Sequence, residues 1–166
     1  SSAASDVYKR QQRTTYAEIE VGKDLGSFEW TVTQDDVERT CDLDQHWHEW
    51  FVGDSPWGGP IAPPQIQSRP PRWLLGRTYN VRGVSYKLDF EYLKPIMSGE
   101  TLVISGHISE KYIKRNREYV RWDTMAHNAN GDLVFIASRV QCMDIVERDA
   151  PREGTGIDGG PKPERI

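Results

Sequence analysis

The sequence predicts an α+β domain, an antiparallel β-sheet with one face covered by a helix, and three observations carry that expectation. From Val84 onward, long segments alternate apolar and polar residues and follow one another with no helical stretch between them. Asn130-Gly131 lies between two of these runs, and this dipeptide suits the tight turn of a hairpin. In the first half, the segment around Ile61 to Leu75 alone is apolar enough to cover such a sheet. A length of 166 residues and a mass of 19.0 kDa fit one domain. Its bounds are read as residues 16–146, with a polar tail at 1–15 and a tail rich in Pro, Gly and charge at 147–166.

Taken in order, Phe28-Glu29-Trp30-Thr31-Val32 alternates as a short strand. Thr33 then offers an N-cap with Asp36 three residues later, and a short helix through Val37 and Arg39 follows. From Thr40 to Pro71 alternation disappears, while aromatic residues, prolines and two of the four histidines accumulate. The covering helix spans Ile61 to Leu75; Pro70 and Pro71 lack backbone donors and crowd the preceding turn, so they should kink or split it. Val84, Tyr86, Leu88, Phe90 and Tyr92 share one face of the next strand, which should be half buried. Strands follow at Thr101 to Ile113, Glu118 to Asn128 and Leu133 to Ile145. The connections are Ser98-Gly99-Glu100, Lys114-Arg115-Asn116-Arg117 and Asn130-Gly131.

Charge and composition exclude several classes. With 25 acidic against 21 basic residues the net charge is −4 and the pI about 5.6, which gives no global attraction to a phosphate backbone, so nucleic acid is not an expected partner. No stretch approaches the roughly 18 apolar residues of a membrane span, and the opening SSAASDVYKRQQR has no apolar signal region. A soluble, cytoplasmic protein without membrane contact is expected. Cys41 and Cys142 form no CxxC pair, so reduced thiols are expected.

Chemistry concentrates in Asp42-Leu43-Asp44-Gln45-His46-Trp47-His48-Glu49-Trp50, shortly before Gly58-Gly59-Pro60-Ile61-Ala62-Pro63-Pro64. A helix beginning near Pro60 to Pro63 would present free N–H groups and the positive end of its dipole at the two glycines. A carbonyl oxygen gaining negative charge can be held by such donors.

The helix opening Ile61-Ala62-Pro63-Pro64 over a long antiparallel sheet resembles the MaoC-like acyl dehydratases, whose fold is the hot-dog. Tyr16 to Lys23 is similar to that family's opening, Trp30-Thr31-Val32-Thr33 to its first strand and helix, and Phe90 through Leu102 to its strand, turn and strand. The resemblance implies an antiparallel sheet wrapped around a central helix. It also implies pairing as a homodimer, a higher homo-oligomer or a paired hot-dog subunit, and no cofactor. The substrate implied is an acyl thioester of coenzyme A or a carrier protein, or a related small molecule.

The family's hydratases carry G-D-x-N-P-x-H, and this chain departs from it. An ungapped count from Ile61 places His46 at the histidine and Cys41 at the aspartate; deletion of one residue restores Asp42. Leu43, Asp44 and Gln45 stand where Asn and Pro belong, and His48 falls where an acidic residue often sits. The resemblance then implies hydratase or dehydratase action with Asp42 and His46 as the acid–base pair and His48 as substitute for either. It places Gly58 and Gly59 at the carbonyl, with Trp57 and Ile61 beside the substrate. An imidazole works as acid and base near neutral pH, and a carboxylate orients the water or the ring.

Other readings of the same residues remain open. The cluster is also compatible with a polar loop, with a non-catalytic acyl-binding subunit of a heteromeric hydratase, and with a thioesterase or other lyase. His46 and His48 with Asp42 or Asp44 are suitable metal ligands, but no distant third ligand is evident and no metal is expected. Trp47, Trp50, Phe51 and Trp57 line an acyl pocket or form ordinary core. Lys111, Lys114, Arg115 and Arg117 contact coenzyme phosphates or form a solvated hairpin tip, and Arg72 and Arg77 carry the same ambiguity. His107 and His127 read as strand histidines, and Cys41 as a core or loop thiol.

Overall fold

A computed structural model describes residues 13–145 of the chain. The expected tails lie outside this range except for Arg13 to Thr15, which are tied to the domain: Arg13 donates to the Met143 carbonyl at 2.6 Å, and Thr14 N–H to the Asn80 carbonyl at 3.1 Å. The strands are β1 (Asp24–Thr31), β2 (Val84–Tyr92), β3 (Thr101–Lys114), β4 (Arg117–His127) and β5 (Leu133–Ile145). The helices are α1 (Gln34–Asp44), α2 (Glu49–Val52) and α3 (Arg69–Gly76), with a 3-10 helix at Pro64–Ser68 before α3. All strands pair antiparallel in the order β1-β3-β4-β5-β2.

Local chemistry accounts for the element ends. The Thr33 hydroxyl accepts from Asp36 N–H at 3.1 Å, and the Asp36 carboxylate accepts from Thr33 N–H at 3.3 Å, closing the expected capping box on α1. That helix outlasts its expected end and stops only at Gln45, whose φ of 50° is left-handed. Between β3 and β4, Arg115 and Asn116 both take positive φ, 50° and 57°, as a two-residue hairpin loop requires.

The covering segment is split in two, one of the outcomes expected from Pro70 and Pro71, but its helical structure does not begin at Ile61. Ile61 is extended, bridged to Met97, and helical structure begins at Pro64. The split falls between Ser68 and Arg69, so Pro70 and Pro71 start α3, where missing donors cost nothing, rather than bending it. The helix α3 packs on β1, β3 and β4. A Cβ on Gly106 would sit 2.1 Å from the Asp123 carbonyl oxygen and 2.9 Å from Leu74 Cδ2, so glycine is required for this close approach. Buried Trp122 donates from Nε1 to the Pro71 carbonyl at 2.8 Å, fixing the start of α3 to the sheet.

One apolar cluster joins Val37, Ile66, Ile96, Leu102, Ile104 and Phe135; a second, under α3, joins Leu74, Leu75, Ile108, Val120, Trp122 and Met143. The edge strand β2 departs from expectation in two ways. A bulge at Tyr86 breaks its alternation: Leu88, Phe90 and Tyr92 face the same way as Arg139, Ala137 and Phe135, whereas Val84 pairs with Cys142 on the opposite face. Nor is the strand half buried, since Val84, Tyr86, Leu88 and Tyr92 are 72, 52, 43 and 52 % exposed. The reason is that α3 packs on β1, β3 and β4 and leaves this edge uncovered. No helix among the described residues is long and apolar enough to cross a membrane.

Candidate active site

A cavity of about 520 Å³ opens between the segment after α1, the extended run at Ile61 and the chain leaving β2. The left-handed turn at Gln45 aims the chain out of α1, and His46 N–H bonds back to the Cys41 carbonyl at 3.0 Å. His48 then caps α2, its Nδ1 accepting from Trp50 N–H at 3.1 Å. Because Nδ1 offers a lone pair there, the neutral ring carries its proton on Nε2. Both imidazoles flank the buried Phe51 ring, with centroids 5.8 Å away for His46 and 5.7 Å for His48. Trp50 meets His48 at 4.8 Å and Trp57 edge-on at 5.7 Å. Ile61 N–H donates to the Trp50 carbonyl on α2 and Ala62 N–H to the Ile96 carbonyl in the β2–β3 connection, each at 2.8 Å, tying the extended run to both.

Of the residues singled out in the sequence, His46, His48, Trp57 and Ile61 meet at this cavity. Asp42 does not line it: it lies exposed on the last turn of α1, which continues where a loop was expected. Gly58 and Gly59 are likewise not at a helix start. They take φ of 86° and 145° in the preceding loop, and helix begins only at Pro64, so they present no helix terminus to a carbonyl. Cys41 is buried; that burial pushes its thiol pKa up, and the charges of Asp42, Asp44 and Glu38 push the same way, which disfavours a thiolate nucleophile. Lys111 donates to the carbonyls of Tyr16 and Ile19 at 3.1 and 2.7 Å, a structural use of one cation from the β3–β4 hairpin.

Sequence reasoning missed Gln67. It lines the cavity at 4 % exposure, and its Oε1 has no hydrogen-bond partner among the described residues. Two amides, Gln65 and Gln67, flank Ile66 in the sequence, and nothing local distinguishes the buried one. Tyr92 to Ile96 also reach the wall, with Lys94 paired to Asp132 at 2.7 Å. Among the described residues no carboxylate lines the cavity, and no cluster of three or more His, Cys, Asp or Glu could hold a metal.

No family model and no curated protein matches the sequence. Solved structures do match. The R-hydratase PhaJ1 of Pseudomonas aeruginosa superposes with a TM-score of 0.64 at 17 % identity, covering 80 % of this chain and 86 % of that one. The HadBC complex of Mycobacterium tuberculosis, a 3R-hydroxyacyl-ACP dehydratase, gives 0.64 at 16 % identity over 79 % of this chain and 99 % of that one. A monoamine oxidase regulatory protein of Archaeoglobus gives 0.66 at 18 % identity, covering 80 % and 95 %.

The chain has the hot-dog fold. Its structure matches those of MaoC-like dehydratases and R-hydratases, and at these identities the likeness is one of fold. Within this hot-dog domain the cavity lies at the edge of the covered face, beyond the start of α3 and against the end of β2.

Proposed function

We propose that this hot-dog protein adds water to, or removes it from, the C2–C3 bond of an acyl thioester of coenzyme A or a carrier protein. The observation that carries this reading is the meeting of His46 and His48 at the wall of a largely apolar cavity. Trp50, Phe51, Trp57 and Ile61 suit an apolar acyl chain. For hydration, His46 takes a proton from water as the oxygen bonds to C3; the π electrons move to the thioester oxygen, and as the carbonyl re-forms His46 gives that proton to C2 and returns to its neutral form. His48 Nε2–H donates to that oxygen while it is negative, and the Gln67 side chain stands in the wall beside the attacking water. Dehydration runs the same steps backwards. A positioned acid–base group supplies about 10²–10⁴-fold.

A second reading is favoured by one observation, that no carboxylate among the described residues lines the cavity wall. Here the chain binds the acyl group while a paired hot-dog subunit supplies the missing acid. The exposed apolar residues on the unpaired edge of β2 support pairing, either with a second copy or with a different subunit. The deciding experiment follows loss of the conjugated enoyl thioester absorbance with purified protein alone, on short, long and aromatic acyl groups. Turnover that falls in His46→Ala and His48→Ala supports the first reading. Inactivity that persists until a second subunit is added supports the other.

A further inference from the structure

Strand β5 presents Phe135 and Ala137 to the covered face of the sheet, and two residues further on Arg139 faces the same way, paired across strands with Trp122 and Leu88. A cation at a core-facing register position is ordinarily paired with a carboxylate, because an uncompensated charge is costly out of water. Arg139 has no such partner among the described residues. Its guanidinium lies over the Trp122 ring, 5.8 Å from the centroid, and its Nε is buried with no hydrogen-bond partner. The neighbouring charge has the same sign. Burial, together with Arg72 on α3, pushes the Arg139 pKa below the ordinary arginine value.

Both arginines, together with Arg82, line a second cavity of about 740 Å³ at the other end of β2, and no acidic residue among the described ones lines it. Ser85 and Gln141 add polar groups to its wall. The loop over it is pinned at Gly83, with φ of 146°, where a Cβ would lie 1.9 Å from the Cys142 carbonyl oxygen. We propose that this cleft is a phosphate-binding site in which Arg72 and Arg139 grip the phosphate and Arg82 stands beside them. A dianion between two guanidiniums replaces their repulsion with charge-assisted hydrogen bonds, and the planar forks match phosphate oxygens in pairs. Three cations with no counter-charge suit a dianion better than a single carboxylate. The cleft's chemistry is independent of that proposed for the aromatic cavity.

Calorimetric titration and thermal unfolding with inorganic phosphate, against sodium chloride of equal ionic strength, test the site without reference to activity. Phosphate should bind and raise Tm where chloride does not, and Arg139→Met and Arg72→Gln should each weaken binding about tenfold or more, as loss of charge-assisted bonds implies. Arg139→Met should be at least as stable as the parent without phosphate, because a half-buried charge beside a like charge has gone. Adenosine 3′,5′-bisphosphate serves as a second probe. Tighter binding of it than of inorganic phosphate identifies a nucleotide-borne phosphate as the ligand, and equal binding a free phosphate; both support the site. Equal effects of phosphate and chloride would overturn it, as would unchanged phosphate binding in the exposed-site variant Arg72→Gln, even if Arg139→Met fails to fold.

Discussion

His48 Nδ1 accepts the backbone N–H of Trp50 at 3.1 Å, so one atom of a proposed catalytic imidazole is already committed to capping α2. The two roles separate by substitution. Asparagine keeps a side-chain acceptor for the cap but cannot exchange a proton. His48→Asn should therefore fold like the parent and lose turnover by about 10²-fold or more, whereas His48→Ala should also lose about 0.5–2 kcal/mol of stability. Enoyl thioester kinetics and chemical denaturation of both variants check this. Equal stability of the two would exclude the capping role.

Gln67 offers a trade between stability and turnover. Its buried Oε1 lacks a partner among the described residues, so Gln67→Leu should gain about 1–3 kcal/mol, the ordinary penalty of an unsatisfied group, while turnover falls. Destabilisation in urea would mean that the amide is satisfied in solution by an ordered contact.

Thr33→Ala should cost about 1 kcal/mol through loss of the α1 capping box. If turnover per folded molecule stays at the parent level while the urea midpoint falls, α1 acts as scaffold and not as part of the chemistry.

The Cys41 thiol, pushed up chiefly by burial, holds its proton to higher pH in the folded chain than in the unfolded one. The folded state is then disfavoured as pH rises past the ordinary thiol value, and alkylation of native Cys41 should lag behind that of the urea-unfolded chain at every pH below it. Mass spectrometry of peptides after timed iodoacetamide labelling reads this directly; equal rates would count against a buried thiol.

Pairing through β2 predicts that Leu88→Lys, which places charge on the exposed covered-side face of the edge strand, shifts sedimentation toward monomer and leaves the far-UV spectrum unchanged. A parent chain that sediments as monomer at micromolar concentration would remove the basis for the pairing.

Local signals carried the legible part of the fold. The Thr33 box and the alternation of β3, β4 and β5 each specify an element within a few residues, and each is where the pattern placed it; the hairpin signalled by Asn130-Gly131 is there too, but as a five-residue loop in which only Gly131 takes positive φ. What stayed hidden needed information from elsewhere in the chain. Pro70 and Pro71 read as a kink or a split within one helix; the split is there, but nothing nearby announced that the α-helix starts just before them. Tyr86 read as one of five like-facing residues because a bulge depends on the partner strand. Asp42 read as a site residue by its spacing to His46, but α1 runs on to Asp44 and carries it off the cavity wall. Gln67 and Tyr92 reach His46 and His48 only through the folded chain.

An edge strand with a cavity at each end has a geometric corollary. Two copies of β2 joined antiparallel about a twofold axis would set the Val84 end of one against the Tyr92 end of the other. The basic cleft of each protomer would then border the aromatic cavity of its neighbour. Sites separated by the length of a strand within one polypeptide become adjacent across the axis, so a single elongated molecule with an anionic head and an apolar tail would have to be shared by both protomers.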